Sequence, residues 1–331
     1  MVRKAKVLPR LAAVGGVLAG TAAASLVASP AGAEGLPQAP ASCEVHELPL
    51  PPGVSGGSVT GSSPDGRTLL GSTSRNGGPA ETVVIWRDGQ IVDTIEDAPN
   101  TLSDINSNGV AVGGHFDEYS DARPWVYDNG QIRVLPGDVS PTAINDSGQI
   151  VGYDANGAVT WEPGSDEPVP LEGGAAGSAH DIAADGTIVG TAPGEGGTDA
   201  VSWQDGALRV LPRPEGSKPQ DHLTAAEING PWVIGSGPGG TVRWNIETGA
   251  AENIPDVYGD DGGINEHGWL VGTQRAGDRA VLVADGRTIE LPPYKSYPIH
   301  AARTVSSDGS VIGGSAVIPK GDSQPVYWSC A

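Results

Sequence analysis

The stretch Ile144-Asn145-Asp146-Ser147-Gly148-Gln149-Ile150-Val151-Gly152 reads as strand, tight turn, strand, and variants of it recur along the chain. The glycine closing each unit falls at Gly71, Gly113, Gly152, Gly190, Gly235, Gly272 and Gly313, at intervals of 42, 39, 38, 45, 37 and 41 residues. Self-similarity at about 40 residues marks a propeller whose blades each hold four strands. The sequence therefore predicts an all-β chain: a seven-bladed β-propeller of four-stranded antiparallel blades.

Each copy has the same internal order. A first strand ends in an aliphatic residue (Ile105, Ile144, Ile182, Ile228, Ile264 or Val305), and an Asn-, Asp- and Gly-rich turn then reverses the chain. Those residue types tolerate the positive φ that tight hairpin turns require. A short β-branched second strand follows, then a variable loop and a third strand ending in Trp86, Trp125, Trp161, Trp203, Trp244 or Trp328. A fourth strand ends in Leu-Pro, as at Leu135-Pro136, Leu211-Pro212 and Leu291-Pro292. The periodic Trp residues read as packing groups between blades.

The two ends of the repeat array complete each other. Residues 304–328 supply three strands of a seventh blade, whereas residues 43–49 carry the Leu-Pro ending of a fourth strand at the opposite end of the chain. The propeller is therefore expected to close by pairing its N-terminal strand with the C-terminal blade. Cys43 and Cys330 flank the missing hairpin turn and are the two cysteines of the chain, so a disulfide between them is expected.

Such a bond needs an oxidising compartment, and the N-terminus predicts one. Arg3, Lys4, Lys6 and Arg10 precede a small-residue apolar run, and Ala31-Gly32-Ala33 forms a cleavage-like site, so residues 1–33 read as a secretory signal and 34–42 as a linker before a single domain, 43–331. No second apolar run is present, so no membrane insertion is expected after cleavage. Of the 19 basic and 40 acidic residues, four basic and no acidic ones lie in that signal, which leaves the mature chain near −25. A surface of that sign repels nucleic acid and anionic lipid and keeps an exported protein soluble.

The Ile-Asn-x-x-Gly-x-Ile-Val-Gly core, the later Trp and the Leu-Pro close resemble the HAF-type extracellular repeat proteins of bacteria. The copies at 105–136 and 144–171 match best. The copy with Ser62-Ser63-Pro64-Asp65-Gly66 and the copy with Ile228-Asn229-Gly230-Pro231 depart from the pattern. What the resemblance implies is an exported repeat protein.

In an up-and-down blade, the turns joining strands one to two and three to four share one rim, and the longer variable connections share the other. Variable loops on a rigid scaffold are where binding usually resides. Ligand-binding candidates on that rim and on the inner-strand approaches to it are His115, His180, Asp181, His222, Asp260, His300 and Arg303. Trp232 and Trp269 stand just before the second strand of neighbouring copies, where they either pack between blades or present rings to a sugar or protein partner. Asp104-Ile105-Asn106-Ser107-Asn108-Gly109 opens like a calcium loop, but His115 stands where the completing Glu belongs.

No nucleophile elbow, zinc-protease helix motif or phosphate-cradling glycine loop is present. The expectation is a secreted, monomeric, non-enzymatic binding or scaffold propeller with an extracellular protein or glycan as partner. No cofactor is called for, and a divalent cation stays open. The alternative is an extracellular lyase or hydrolase using His180, His222 or His300 with carboxylates at the channel mouth.

Overall fold

The computed structural model describes residues 38–74, 80–96, 102–114, 123–259, 262–319 and 322–331. Among these residues there are seven sheets of four antiparallel strands each and no helix. Blades 1 to 6 span 56–96, 102–134, 139–175, 178–210, 224–254 and 257–290. Blade 7 joins His300–Val305, Val311–Val317 and Ser323–Cys330 to Cys43–Glu47 from the start of the chain.

Closure follows the sequence expectation. Cys43 stands directly opposite Cys330 in the strand register, and the two form a disulfide. Backbone pairing continues past them, with Ala331 N donating to Ser42 O at 3.0 Å and Ala41 N to Ala331 O at 2.7 Å, where a turn reverses the chain in other blades. In the chain-entropy picture a covalent link across so long a loop stabilises the fold by roughly 5 to 6 kcal/mol.

The Trp and Leu-Pro signals turn out to be two halves of one contact. All six third-strand Trp side chains are buried. The indole N–H of Trp86, Trp244 and Trp328 donates to Pro49 O, Pro212 O and Pro292 O at 2.8, 2.7 and 2.8 Å, each on the preceding blade. Trp203 makes the same bond to Glu172 O. The leucines before those prolines, Leu48, Leu211 and Leu291, are buried beneath. In these four blades a ring that fills the inter-blade space satisfies its one donor on a carbonyl of the preceding blade, whereas the buried indole N–H of Trp125 and of Trp161 has no partner among the described residues.

The repeated Asn has an equally local cause. Asn106 Oδ1 accepts from the backbone N–H of Asn108 and Val110, and Asn265 Oδ1 from those of His267 and Trp269, so the side chain holds the turn closed. In two copies that lack the Asn a buried Ser replaces it, Ser63 Oγ accepting from Thr68 N and Ser306 Oγ from Val311 N, and in the fourth copy, with Ala183 at that position, Asp185 Oδ1 accepts from Thr187 N. The calcium-like loop at 104–109 is one of these turns, with Asn106 Oδ1 engaged by backbone. Among the described residues no group of three His, Cys, Asp or Glu is placed to hold a metal; His115 lies outside them.

The closing glycine faces a bulge. In blades 3 and 5 the inner strand shifts register at Pro141/Ala143 and Ala225/Glu227, opposite Gly152 and Gly235. A Cβ on Gly152 would stand 2.1 Å from Ser140 O, and one on Gly235 1.8 Å from Thr224 O. The bulge re-aims inner-strand side chains, and only glycine lets the second strand approach that closely. In blade 7 this role falls to Gly314, whose Cβ would meet Ala301 O at 2.0 Å, one residue beyond the Gly313 of the sequence pattern.

Candidate functional site

A cavity of about 390 Å³ lies on the propeller axis, lined by the inner strands of blades 1 to 5 and 7 and by the short turns that follow them. Its walls carry a repeated set of bonds, each running from one blade to the next. In the first tier, Ser103 Oγ donates to Pro141 O (2.8 Å), Thr142 Oγ1 to Ala179 O (3.0 Å), and His180 Nδ1 lies 2.7 Å from Ala225 O. In the second, the N–H of Ile144, Ile228 and Ile264 donates to Asp104, Asp181 and Glu227 at 3.0, 2.7 and 3.0 Å. In the third, Asn106 Nδ2 donates to Asn145 O at 3.0 Å and Asn145 Nδ2 to Ala183 O at 3.4 Å.

These tiers explain why the side chains are polar, but not why three of them are acids. Asp104, Asp181 and Glu227 are each half-buried, with what remains open facing the cavity. Burial, then repulsion from Asp181, pushes the Asp104 carboxyl up to about 7. Burial pushes Asp181 up to about 6. Glu227 is raised well above its ordinary value by burial and then by Asp181 and Asp104. The groups that shift the three, besides burial, are backbone N–H donors and other carboxylates.

His180 is a neutral base of fixed tautomer. Ala225 O can only accept, so Nδ1 carries the proton and Nε2 keeps its lone pair, while burial lowers the tendency of the ring to charge. Arg303 lines the cavity from blade 7, beside Thr304, whose hydroxyl bonds that of Ser62 on blade 1. At the position of the acids blade 6 carries Gly263. A Cβ on Gly263 would stand 2.8 Å from Val305 N, so blade 7 is pressed against it. Above that recess Asn229 of blade 5 donates to Ser307 of blade 7 at 3.2 Å, spanning blade 6.

Of the sequence candidates, the structure brings together His180, Asp181 and Arg303. The cavity reaches the rim of short turns, through Asn145, Asp146, Asp185 and Ser307, and not the loop rim where the sequence had placed the search. His222 is exposed on a connecting loop, its Nδ1 3.4 Å from Thr198 Oγ1. His300 is buried, and its Nε2 accepts the backbone N–H of Tyr294 at 3.1 Å, so its lone pair holds the loop before blade 7. His115 and Asp260 lie outside the described residues.

Trp232 and Trp269 sit on inter-blade seams. A Cβ on Gly268 would touch the Trp232 ring at 2.5 Å, and one on Gly309 the Trp269 ring at 2.8 Å, so each indole covers the turn of the following blade. Arg243 stacks on Trp232 at 5.3 Å from the ring centroid.

Glu227 escaped the sequence reading, and Asp104 entered it only as the opening of a calcium-like loop. Their signal was an acid immediately before the repeat's Ile in copies 2, 4 and 5, which resembled ordinary turn composition.

The geometry defines the chain as a seven-bladed propeller with a polar axial cavity. It is similar in fold to a selenomethionine-substituted virginiamycin B lyase from Staphylococcus aureus, with 14% identity and a TM-score of 0.53 over 88% of this chain and 100% of that one. A gluconolactonase from Xanthomonas campestris aligns at 15% identity and a TM-score of 0.45, over 89% and 97% of the two chains. At such identities the likeness is one of architecture. No family model matches the chain, and comparison with curated proteins finds no match.

Proposed function

We propose that this chain is a secreted propeller that binds a small polar ligand, free or at the end of an extracellular protein or glycan, in its axial cavity without transforming it. One observation carries the reading: three acidic side chains, each raised in proton affinity by burial, are gathered around one cavity. Burying an ionisable acid is costly, and neutral donors and acceptors like Ser103 and Thr142 would link the blades as well. A ligand that pairs with those acids accounts for their presence. Secretion is supported by the signal-like first 33 residues and the disulfide. No helix among the described residues is long and apolar enough to cross a membrane. The HAF-like repeat grammar points the same way.

The test uses Gly61, which lines the cavity and where a Cβ would make an ordinary contact with Leu70 Cβ at 3.9 Å and no closer one. Gly61→Leu is expected to fill the cavity without disturbing the fold. A thermal-shift screen of small polar compounds should yield ligands that stabilise the native chain and not Gly61→Leu. Compounds that stabilise both equally would place binding elsewhere and defeat the proposal.

A second reading is an acid–base enzyme. It is favoured by His180, whose fixed tautomer offers Nε2 as a base in the same cavity as the Glu227 carboxyl with its raised proton affinity, the two kinds of group that proton abstraction or elimination requires. The likeness to a lyase brings no residue to this reading. Mass analysis of a bound ligand after prolonged incubation separates the two: an altered ligand, with turnover lost in His180→Gln, establishes the enzyme.

A further inference from the structure

The closing strand Cys43–Glu47 is fastened at both ends. At one end stands the disulfide between Cys43 and Cys330. At the other, Glu47 Oε2 accepts from the Tyr294 hydroxyl and from Lys295 Nζ, the latter at 3.0 Å. Both donors lie in the connection from blade 6 to blade 7, which thereby straps the last strand of the ring. The strap is bent against its own preference: Lys295 and Ser296, with φ of 46° and 65°, are the one successive pair other than glycine with left-handed backbone among the described residues. Tyr297 N donates to Tyr294 O at 3.0 Å to close that turn. Such a conformation persists only where its surroundings impose it. Here they are the Glu47 carboxylate, the core around the buried Tyr294 ring, and one bond at the base of the turn, from Tyr294 N to His300 Nε2 at 3.1 Å.

A backbone carbonyl in that place would hold Tyr294 N at any pH, whereas an imidazole does so only while Nε2 keeps its lone pair. With Nε2 accepting, the ring's one proton is on Nδ1, so a second proton must go to Nε2 and sets two donors against each other. Burial, the largest influence, lowers the proton affinity of the ring; Glu290 raises it and Arg279 lowers it, and these two blade 6 side chains are paired with each other at 2.7 Å. Asp278 meets His300 through its backbone O, which accepts His300 N at 2.9 Å. Ala316, opposite His300 on blade 7, brings no charge, and Lys295 on the strap is spent on Glu47. We infer that residues 292–299 form an acid-released strap on the ring closure: a proton on His300 Nε2 displaces Tyr294 N, the Lys295–Ser296 turn relaxes, and Glu47 loses its donors while the disulfide keeps the ring shut. The strap lies on the rim of long connections, lines no part of the cavity and works the same with or without a ligand there.

The experiment is amide-resolved hydrogen exchange of the full chain, disulfide intact, at about pH 7.5 and about pH 5.0, each rate divided by the intrinsic one at that pH. Once parted from Tyr294 N the ring regains its ordinary value of 6.5, so opening of the strap should become about ten- to thirtyfold easier over that interval. Protection of the Tyr294 and Tyr297 amides is expected to fall by that factor, while the ladder amides of blade 3 keep theirs. Glu47, held below its ordinary 4.5 by Tyr294 and Lys295, stays charged at both pH values. His300→Gln supplies an acceptor that does not titrate and should hold both amides equally at the two pH values, whereas His300→Ala should leave both unprotected throughout. Native Tyr294 and Tyr297 amides that keep their protection at the lower pH would overturn the switch. The same fall in His300→Gln would overturn its assignment to His300. Should His300→Gln fail to fold, or leave Tyr294 unprotected at both pH values, the native chain decides: the midpoint of the loss must coincide with the titration of the His300 ring resonance, and a mismatch overturns the assignment.

Discussion

Replacing Asp104 by Asn should change stability in opposite directions at acid and alkaline pH. Asp104 has an ordinary value of 3.8 and reaches about 7 in the fold, so the folded chain holds this proton more tightly than the unfolded one. A raised carboxyl contributes stability that is fully present below the unfolded value and is lost as pH rises through the folded one. The displacement of about three units corresponds to roughly 4 kcal/mol, of which about 3 kcal/mol falls between pH 4.5 and 8.5.

The side chain also accepts from Ile105 N and Ile144 N. An Asn can accept only one of these and points its amide at the other, a loss of about 1 to 3 kcal/mol at every pH. Asp104→Asn should therefore be less stable than the native chain near pH 4.5. By pH 8.5 that deficit should shrink to nothing or reverse. Urea denaturation with the disulfide intact, run as a difference between the two chains at each pH, removes the effect of overall charge. A difference that stays constant from pH 4.5 to 8.5 would refute the account of this carboxyl.

Three further outcomes follow from the packing. Reducing the Cys43–Cys330 bond should lower stability by up to roughly 5 kcal/mol, measured by denaturant midpoint, with the change falling first on blade 7 in hydrogen exchange. His300→Ala should release Tyr294 N, cost about 1 to 3 kcal/mol and leave cavity ligands bound, since His300 does not line the cavity. Because burial lowers its ring's proton affinity, the stability it contributes is present above its unfolded value of 6.5 and lost as pH falls through the folded one. Trp232→Ala should destabilise by about 2 to 4 kcal/mol without altering ligand affinity; weakened binding in a fully folded variant would return Trp232 to the ligand surface.

The architecture was legible because it is periodic. A Gly opposite a bulge, an Asn closing a turn and a Trp bonded to a Leu-Pro carbonyl are each local devices used many times, and repetition made each visible. The split blade and the Cys43–Cys330 link could be deduced from the same period. The cavity was harder to read because it depends on departures from the repeat: Glu227 in place of Asp, His180 in place of Ser or Thr, Arg303 on blade 7 and bare Gly263 on blade 6. Each is unremarkable alone, and their convergence arises only when the ring closes. The histidines at 222 and 300 drew attention by residue type, whereas loop packing decides what they do.

The link that seals blade 7 also changes what a protease can accomplish. Because Cys43 and Cys330 are joined, residues 43–330 form a covalent circle, and cutting it once opens the circle without releasing any piece. The segment around Lys295-Ser296 between blades 6 and 7 is exposed, so a cut there would leave every blade tethered to the rest in both directions of the ring except across that one gap. Trypsin-nicked protein should then run as a single species until reductant is added, and only then separate in two. The bond turns a single cleavage from a loss of material into a change of where the chain begins.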